Sequence, residues 1–423
     1  MHNAKPNVLY GQTISLCEKC LLPIEAKIIF KDSSVFFLKT CPEHGQQETL
    51  VSTDIEYFKL AREEKSFSYK RPFAFNKIYT SDCSQDCGIC DQHEQHTCMA
   101  IVELLDECNM RCPTCIASSH PGAGNVRSYF ELNEMLDTVV RMEGSPDIVM
   151  LSGGEPTVHP NIIEVIELAK SKPIKHIMLI SNGVRIAQEI NFVQRLAEMK
   201  GGLEVYLQFD SLDNDVLLNI RGEALSDIRI QSIENLEKAG IPMTLVCVVK
   251  KQINDHEMNA VIEFALQYKY IRGVTFQPCK ITGRNDAFDK ENNYITLSEV
   301  RSKILEASQY FSSNDIIPHP CNPENIAIGY LRRQENTVHA VTQDLIGITS
   351  NFPFQDDLRS MMFFLPTLDT PEYNYDNLFR VSIVSFLDKF NFCMSSVKKS
   401  CIHFVTTKQE LIPIDTYYLW YAH

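Results

Sequence analysis

The chain has 423 residues, 44% of them hydrophobic, and a formal net charge of −14, so it can bury a large core and offers no basic footprint for nucleic acid. No apolar run approaches the ~20 residues of a transmembrane segment, and the first residues lack a basic stretch followed by an apolar one, so no signal peptide is predicted and the expected location is cytoplasmic. In that reducing compartment the fifteen cysteines point to metal rather than disulfides. They are also grouped, at 17, 20 and 41, then 83, 87, 90 and 98, then 108, 112 and 115.

Residues 1–75 read as a small β-rich module. Strand candidates at 28–30 and 34–38 flank the Lys31-Asp32-Ser33 turn. Cys17-x2-Cys20 precedes this hairpin and Cys41-Pro-Glu-His44 follows it. Rubredoxin-like and zinc-ribbon sites are assembled in that order, so Cys17, Cys20 and Cys41 are candidate ligands for Fe or Zn. The fourth ligand is His44 or a cysteine from elsewhere. Residues 76–98 form a cysteine-rich auxiliary segment, Cys83-x3-Cys87-x2-Cys90, in which Cys98 could supply a fourth thiolate and close a cluster.

From 99 to 285 strand-like and helical periods alternate. The strands are predicted at 100–106, 147–152, 175–181, 203–209, 243–250 and 272–278, and the helices at 128–143, 161–171, 185–199, 226–239 and 256–268. Six β/α units imply parallel strands and right-handed crossovers, hence an α/β fold curled into a partial (β/α)6 barrel. Ligands then sit at the C-terminal strand ends. Cys108-x3-Cys112-x2-Cys115 follows the first strand, and Gly153-Gly154-Glu155-Pro156 the second. Ser181-Asn182, Gln208-Phe209-Asp210 and Gln277-Pro278 fall at later strand ends. Three thiolates at the 3-then-2 spacing can hold three irons of a [4Fe-4S] cube and leave one coordination position open. Paired zinc-finger spacings fit it poorly. The Gly-Gly-Glu-Pro run taken alone could be a turn, and the polar residues at 181, 182, 208 and 210 could be strand caps.

Residues 286–423 read as an α+β extension. It holds a helix at 297–311, an irregular stretch at 312–325 and an apolar segment at 361–365. Cys321, Cys393 and Cys401 are candidate ligands of a further cluster, or buried free thiols.

The cysteine loop and Ser152-Gly-Gly-Glu-Pro-Thr157 together resemble the signature of radical S-adenosylmethionine (SAM) enzymes. The whole chain is similar to one subgroup, the archaeal tetraether lipid synthases and the class D C-methyltransferases of tetrahydromethanopterin. Cys17-x2-Cys20, Cys41-Pro-Glu-His44-Gly45, Asp86-Cys87-Gly88-Ile-Cys90 and His96-Thr97-Cys98 carry that resemblance, with Tyr206-Leu-Gln-Phe-Asp210, Phe276-Gln-Pro278, Thr282-Gly-Arg284 and Cys401-Ile-His403. It implies Cys108, Cys112 and Cys115 as ligands of a SAM-binding [4Fe-4S] cluster, and Gly153, Gly154, Glu155, Ser181, Asn182, Gln208 and Asp210 as SAM contacts. It also implies one or two auxiliary [4Fe-4S] clusters, the N-terminal metal, and an electron donor such as ferredoxin or flavodoxin. The implied reaction is reductive cleavage of SAM to a 5′-deoxyadenosyl radical, followed by C–C bond formation on a small molecule, by C-methylation or coupling. Lipid-chain coupling and a non-catalytic Fe–S electron carrier are the alternatives. The subgroup's second cysteine near Cys321 has no counterpart in Pro323-Glu324-Asn325-Ile326.

Overall fold

The computed structural model describes residues 7–63, 70–78, 83, 86–334, 337–350 and 372–422. The apolar segment at 361–365 lies outside them. A four-stranded antiparallel meander comes first: β1 (Val8–Leu16), β2 (Pro23–Lys31), β3 (Ser34–Cys41) and β4 (Gly45–Ser52). The predicted hairpin is its central pair, turned through Asp32 and Ser33 at positive φ. Alternation puts Ala26, Ile28, Val35 and Phe37 in one buried cluster. The outer strand β4 is rich in polar residues, Gln46, Gln47 and Glu48 among them, and gives little apolar signal.

The six predicted barrel strands form: β5 (Met99–Glu103), β6 (Ile148–Ser152), β7 (His176–Ser181), β8 (Leu203–Gln208), β9 (Met243–Val249) and β10 (Ile271–Pro278). They lie parallel in sequence order. Their side chains are buried almost without interruption, as a sheet covered on both faces requires. Helices return the chain between strands; Tyr129–Glu143 begins with a reciprocal Ser128–Glu131 capping box. A further helix, Asn214–Arg221, capped by Asp213 and Gly222, is not among those predicted.

The sheet continues past the six. β12 (Leu378–Val384) adds parallel to β10, and β13 (Ile402–Val405) adds parallel to β5. Antiparallel strands flank both: β11 (Ile326–Gln334) beside β12, and β14 (Leu411–Pro413) beside β13. The C-terminal α+β extension therefore feeds both flanks of the partial barrel. Inside the curl lies a cavity of about 220 Å³, walled by Met99, Met150, Met178, Tyr206, Val274 and Phe404. One buried ion pair, Glu204–Arg380 at 2.7 Å, joins β8 to β12. Among the described residues no helix is long and apolar enough to cross a membrane.

Candidate active site and metal centres

The loop leaving β5 carries the three central cysteines. Cys108 and Cys112 are buried with Met110, Leu217 and Leu225, and Cys115 packs against them. Cys115 also lines the cavity, beside Thr114, Gly153 and Gly154. Burial pushes the Cys108 thiol up to about 12, with the charges of Glu155, Cys112 and Cys115 adding to it. Burial also raises Cys112, against the pull of the Arg221 guanidinium. Mutually repelling thiolates in a half-dry loop fit a cluster, because bound iron removes the protons and offsets the repulsion.

The second strand end holds this loop in place. The Gly154 N–H donates to Leu105 O at 2.8 Å, and the Glu155 N–H to Glu107 O at 3.0 Å. A Cβ on Gly153 would strike Leu105 O, and one on Gly154 would strike Glu107 O. Both glycines thus permit close approach of the cysteine-loop backbone, besides facing the cavity. The Glu155 carboxylate is fully engaged within the protein. It accepts from Thr157 N–H (3.1 Å), Thr157 Oγ1 (2.5 Å), Ser181 Oγ (2.9 Å) and Asn182 N–H (2.6 Å). Burial raises its pKa and these bonds oppose the rise.

Ser181 and Asn182 extend the network. Ser181 Oγ accepts from Gly183 N–H at 3.0 Å, and Asn182 Nδ2 donates to Asn109 Oδ1 at 2.7 Å, inside the cysteine loop. Asp210 takes Arg221 in a two-pronged bond at 2.6 and 2.8 Å and accepts from Val248 N–H at 3.0 Å. Burial opposes its charge, but Arg221 outweighs that and holds the carboxyl below its ordinary range. Gln208 lines the cavity. The strand-end residues gather at one end of the sheet; Glu155 bonds to Ser181 and Asn182, and Asp210 to Arg221 and the Val248 N–H.

Three cations complete the region. Arg221 lines the cavity from the unforeseen helix. Arg284 donates to three carbonyls of the cysteine loop, Cys112 O (2.6 Å), Ser118 O (3.0 Å) and Ser119 O (2.7 Å). Its signal was the Thr282-Gly-Arg284 match, which carried no role. Lys280, just past β10, is 7% exposed and lines the cavity. Among the described residues its Nζ and the neighbouring Thr282 Oγ1 have no hydrogen-bond partner, and the Nζ lies 5.3 Å from the centre of the Tyr294 ring. No motif marked either residue as a site.

Two sets of side chains pack tightly enough for a metal ion among the described residues: Cys17, Cys20, Cys41 and His44, and Cys98, Cys321 and Cys401. In the first, His44 Nδ1 lies 3.5 Å from both Cys17 Sγ and Cys41 Sγ, and Cys20 Sγ 3.9 Å from Cys41 Sγ. Burial opposes the Cys17 thiolate, yet the N–H groups of Lys19 and Cys20 and the Gln47 amide bring its pKa down to about 6. In the second set Cys98 stands with Cys321 and Cys401, not with Cys83, Cys87 and Cys90 as the spacing suggested. Those three are buried, with Cys83 against Cys87, whose thiol that contact and burial push well up. Cys393 stands apart from Cys321 and Cys401: its sulfur meets Arg62 at 3.2 Å, Thr13 Oγ1 at 3.3 Å and Ser395 Oγ at 3.1 Å.

Comparison with known proteins agrees with this geometry. Residues 102–265 match the radical SAM superfamily, and residues 9–53 match the HMPTM N-terminal zinc ribbon domain. The chain is 26% identical to a 7,8-dihydro-6-hydroxymethylpterin dimethyltransferase of Methanocaldococcus jannaschii, over 96% of this chain and 93% of that one. It is 24% identical to a GTP 3′,8-cyclase of Pasteurella multocida, over 52% of this chain and 64% of the cyclase. The solved structure of Streptococcus suis SuiB bound to S-adenosylmethionine aligns at 17% identity and a TM-score of 0.39, over 50% of this chain and 44% of SuiB. The matched segment runs from β5 through the cysteine loop and the Gly-Gly-Glu-Pro turn to the helix before β10, so the radical SAM match covers the part of the chain that carries this site.

Proposed function

We propose that this enzyme forms a C–C bond, by C-methylation, at an unactivated carbon of a compact pterin-like molecule. A [4Fe-4S] cluster on Cys108, Cys112 and Cys115 would supply the chemistry, one-electron cleavage of bound SAM to a 5′-deoxyadenosyl radical. The protein's part is to hold the cysteine loop rigid through Gly153, Gly154 and Arg284, to keep water out, and to place the substrate. The carrying observation is the cavity of about 220 Å³ that opens beside Cys115 between apolar strands. A buried cavity of roughly 150 Å³ admits benzene, so this one suits a ring system rather than paired lipid chains. Its polar lining residues, Gln208, Gln277, Lys280 and Thr282, suit a ring rich in acceptors. The M. jannaschii relative, named for a hydroxymethylpterin substrate, supports that class.

The test is anaerobic reconstitution with iron and sulfide, then assay of 5′-deoxyadenosine and methylated product with reduced pterins and with isoprenoid lipids. Product from pterins alone is expected. Coupling of lipids without pterin turnover would overturn the substrate class, and cleavage of SAM by Cys108→Ala would overturn the site.

A further inference from the structure

Cys98, Cys321 and Cys401 come from distant stretches of chain and meet in a dry pocket. Each is buried, at 1%, 3% and 0% exposure. Cys98 Sγ lies 2.9 Å from Cys321 Sγ, and the three sulfurs lie within 4.8 Å of one another. A fourth donor stands beside Cys98, outside the 4.8 Å set that the three sulfurs make. His96 Nε2 is 3.3 Å from Cys98 Sγ. The other ring nitrogen, Nδ1, faces Glu143 Oε2 at 3.2 Å, and the second Glu143 oxygen accepts from Thr97 N–H at 2.9 Å. A carboxylate on one imidazole nitrogen keeps the proton there and leaves the other lone pair free for a metal.

Size separates one ion from a cluster. Zinc–sulfur bonds of about 2.3 Å at tetrahedral angles set sulfurs roughly 3.8 Å apart. A cube of four irons spreads its corner thiolates farther than a single ion does. The three sulfurs lie within 4.8 Å of one another, and Cys98 and Cys321, at 2.9 Å, would part by roughly 0.9 Å around one ion, a smaller adjustment than a cube needs; the Cys108, Cys112 and Cys115 set does not close so tightly. The auxiliary [4Fe-4S] cluster implied for Cys321 and Cys401 therefore fits these residues poorly.

We propose that Cys98, Cys321, Cys401 and His96 form a closed site for a single tetrahedral divalent ion, Zn²⁺ or Fe²⁺, with Glu143 as the residue that orients His96. The topology gives the site a purpose. Cys98 and Cys401 enter the adjacent parallel strands β5 and β13, at the ends away from the cysteine loop. Cys321 precedes β11, which lies at the opposite side of the sheet. One ion would therefore staple the two flanks of an open sheet and close the barrel. Four protein ligands leave no position for SAM; Cys98 and Cys401 stand at the N-terminal ends of their strands, where stability rather than chemistry is expected, and Cys321 reaches them from the C-terminal end of β12, where Ser385 N–H donates to Asn325 O.

Metal and acid-labile sulfide are counted on the full chain, purified anaerobically and reconstituted, for the wild type and for Cys321→Ser and Cys401→Ser. Each variant should lose one metal ion per chain and no sulfide. Loss of about four irons with four sulfides would overturn the proposal, as would unchanged metal with a Cys98–Cys321 disulfide in the native mass. Glu143→Gln keeps all four ligands and covers the case in which the serine variants do not fold. Competition with a chelator should show one ion held roughly 10–100-fold more weakly. Retention equal to wild type would overturn the role of Glu143 and His96.

Discussion

Gly154→Ala tests how the strand ends hold the cysteine loop. Gly154 has no positive φ, so the substitution strains no dihedral; its effect is steric. The new methyl would overlap Glu107 O and stand 2.7 Å from Asp106 O, where ordinary contact begins at 3.4 Å. These are backbone atoms and cannot rotate away. The overlap with Glu107 O sets the scale, so the segment leading into Cys108 must retreat by roughly 1 Å or more, and the bonds Gly154 N–H to Leu105 O and Glu155 N–H to Glu107 O stretch with it. Displacement of reacting groups by about 1 Å can cost on the order of a hundredfold in rate. The expected result is a 5′-deoxyadenosine rate down by ten- to a hundredfold, with secondary structure and the tightly packed metal sets retained. The control is Gly201→Ala, where a Cβ meets nothing within 4 Å and no positive φ is required; its rate should match wild type. A Gly154→Ala enzyme as fast as wild type would refute the clamp.

Three other outcomes follow from the site and the core. Arg284→Met removes donors from three cysteine-loop carbonyls; the reconstituted cluster should bleach several-fold faster under chelator, measured by absorbance, and an unchanged rate would remove Arg284 from the loop's support. Lys280→Met should raise the KM for the accepted substrate roughly tenfold or more, the scale of one hydrogen bond to a charged group; a change in kcat alone would place Lys280 outside substrate binding. Glu204→Gln leaves Arg380 buried without its counter-charge and should cost about 3–5 kcal/mol in chemical denaturation. Burial opposes the Glu204 charge, but Arg380 and His176 outweigh it and hold the carboxyl far below the ordinary range. The stability this gives is present above the unfolded carboxylate pKa and is lost only as pH falls through the low folded value, so a pH series of unfolding midpoints should show an acid loss in the wild type that the variant lacks.

Much of the catalytic half was legible because its information is local. A strand buried on both faces needs a continuous apolar run, and runs such as Ile148–Ser152 and Met243–Val249 announce themselves within a residue or two. The cysteine loop and the Gly-Gly-Glu-Pro turn lie just beyond two such runs, so the alternation alone places them at one end of the sheet. What each residue does there was harder to read. Glu155 looks like a ligand for a cation in sequence, yet its oxygens are taken by Thr157, Ser181 and Asn182, and only the fold brings Ser181 and Asn182 to it from the next strand. Arg221 ends a short helix that was not foreseen and Lys280 lies between two matched motifs but in neither, and their importance comes from burial beside a cavity.

The flanks of the barrel escaped for a different reason. The partners of β12 and β13, β10 and β5, lie far away in sequence, so six parallel strands were expected where the C-terminal extension supplies two more. The same long-range pairing regroups the cysteines. Spacing favoured Cys98 with Cys90, eight residues back, whereas the sheet carries Cys321, 223 residues away, to within 2.9 Å of it. Loop closure over that distance costs chain entropy that two thiols in contact cannot offset, but burial of β11 and β12 in the sheet meets that cost first. The sulfurs are then neighbours before any ion arrives. Because register fixes β13 against β5, with Ile402 opposite Met99, a one-residue slip would carry Cys401 to the other side of its strand and dissolve the cluster.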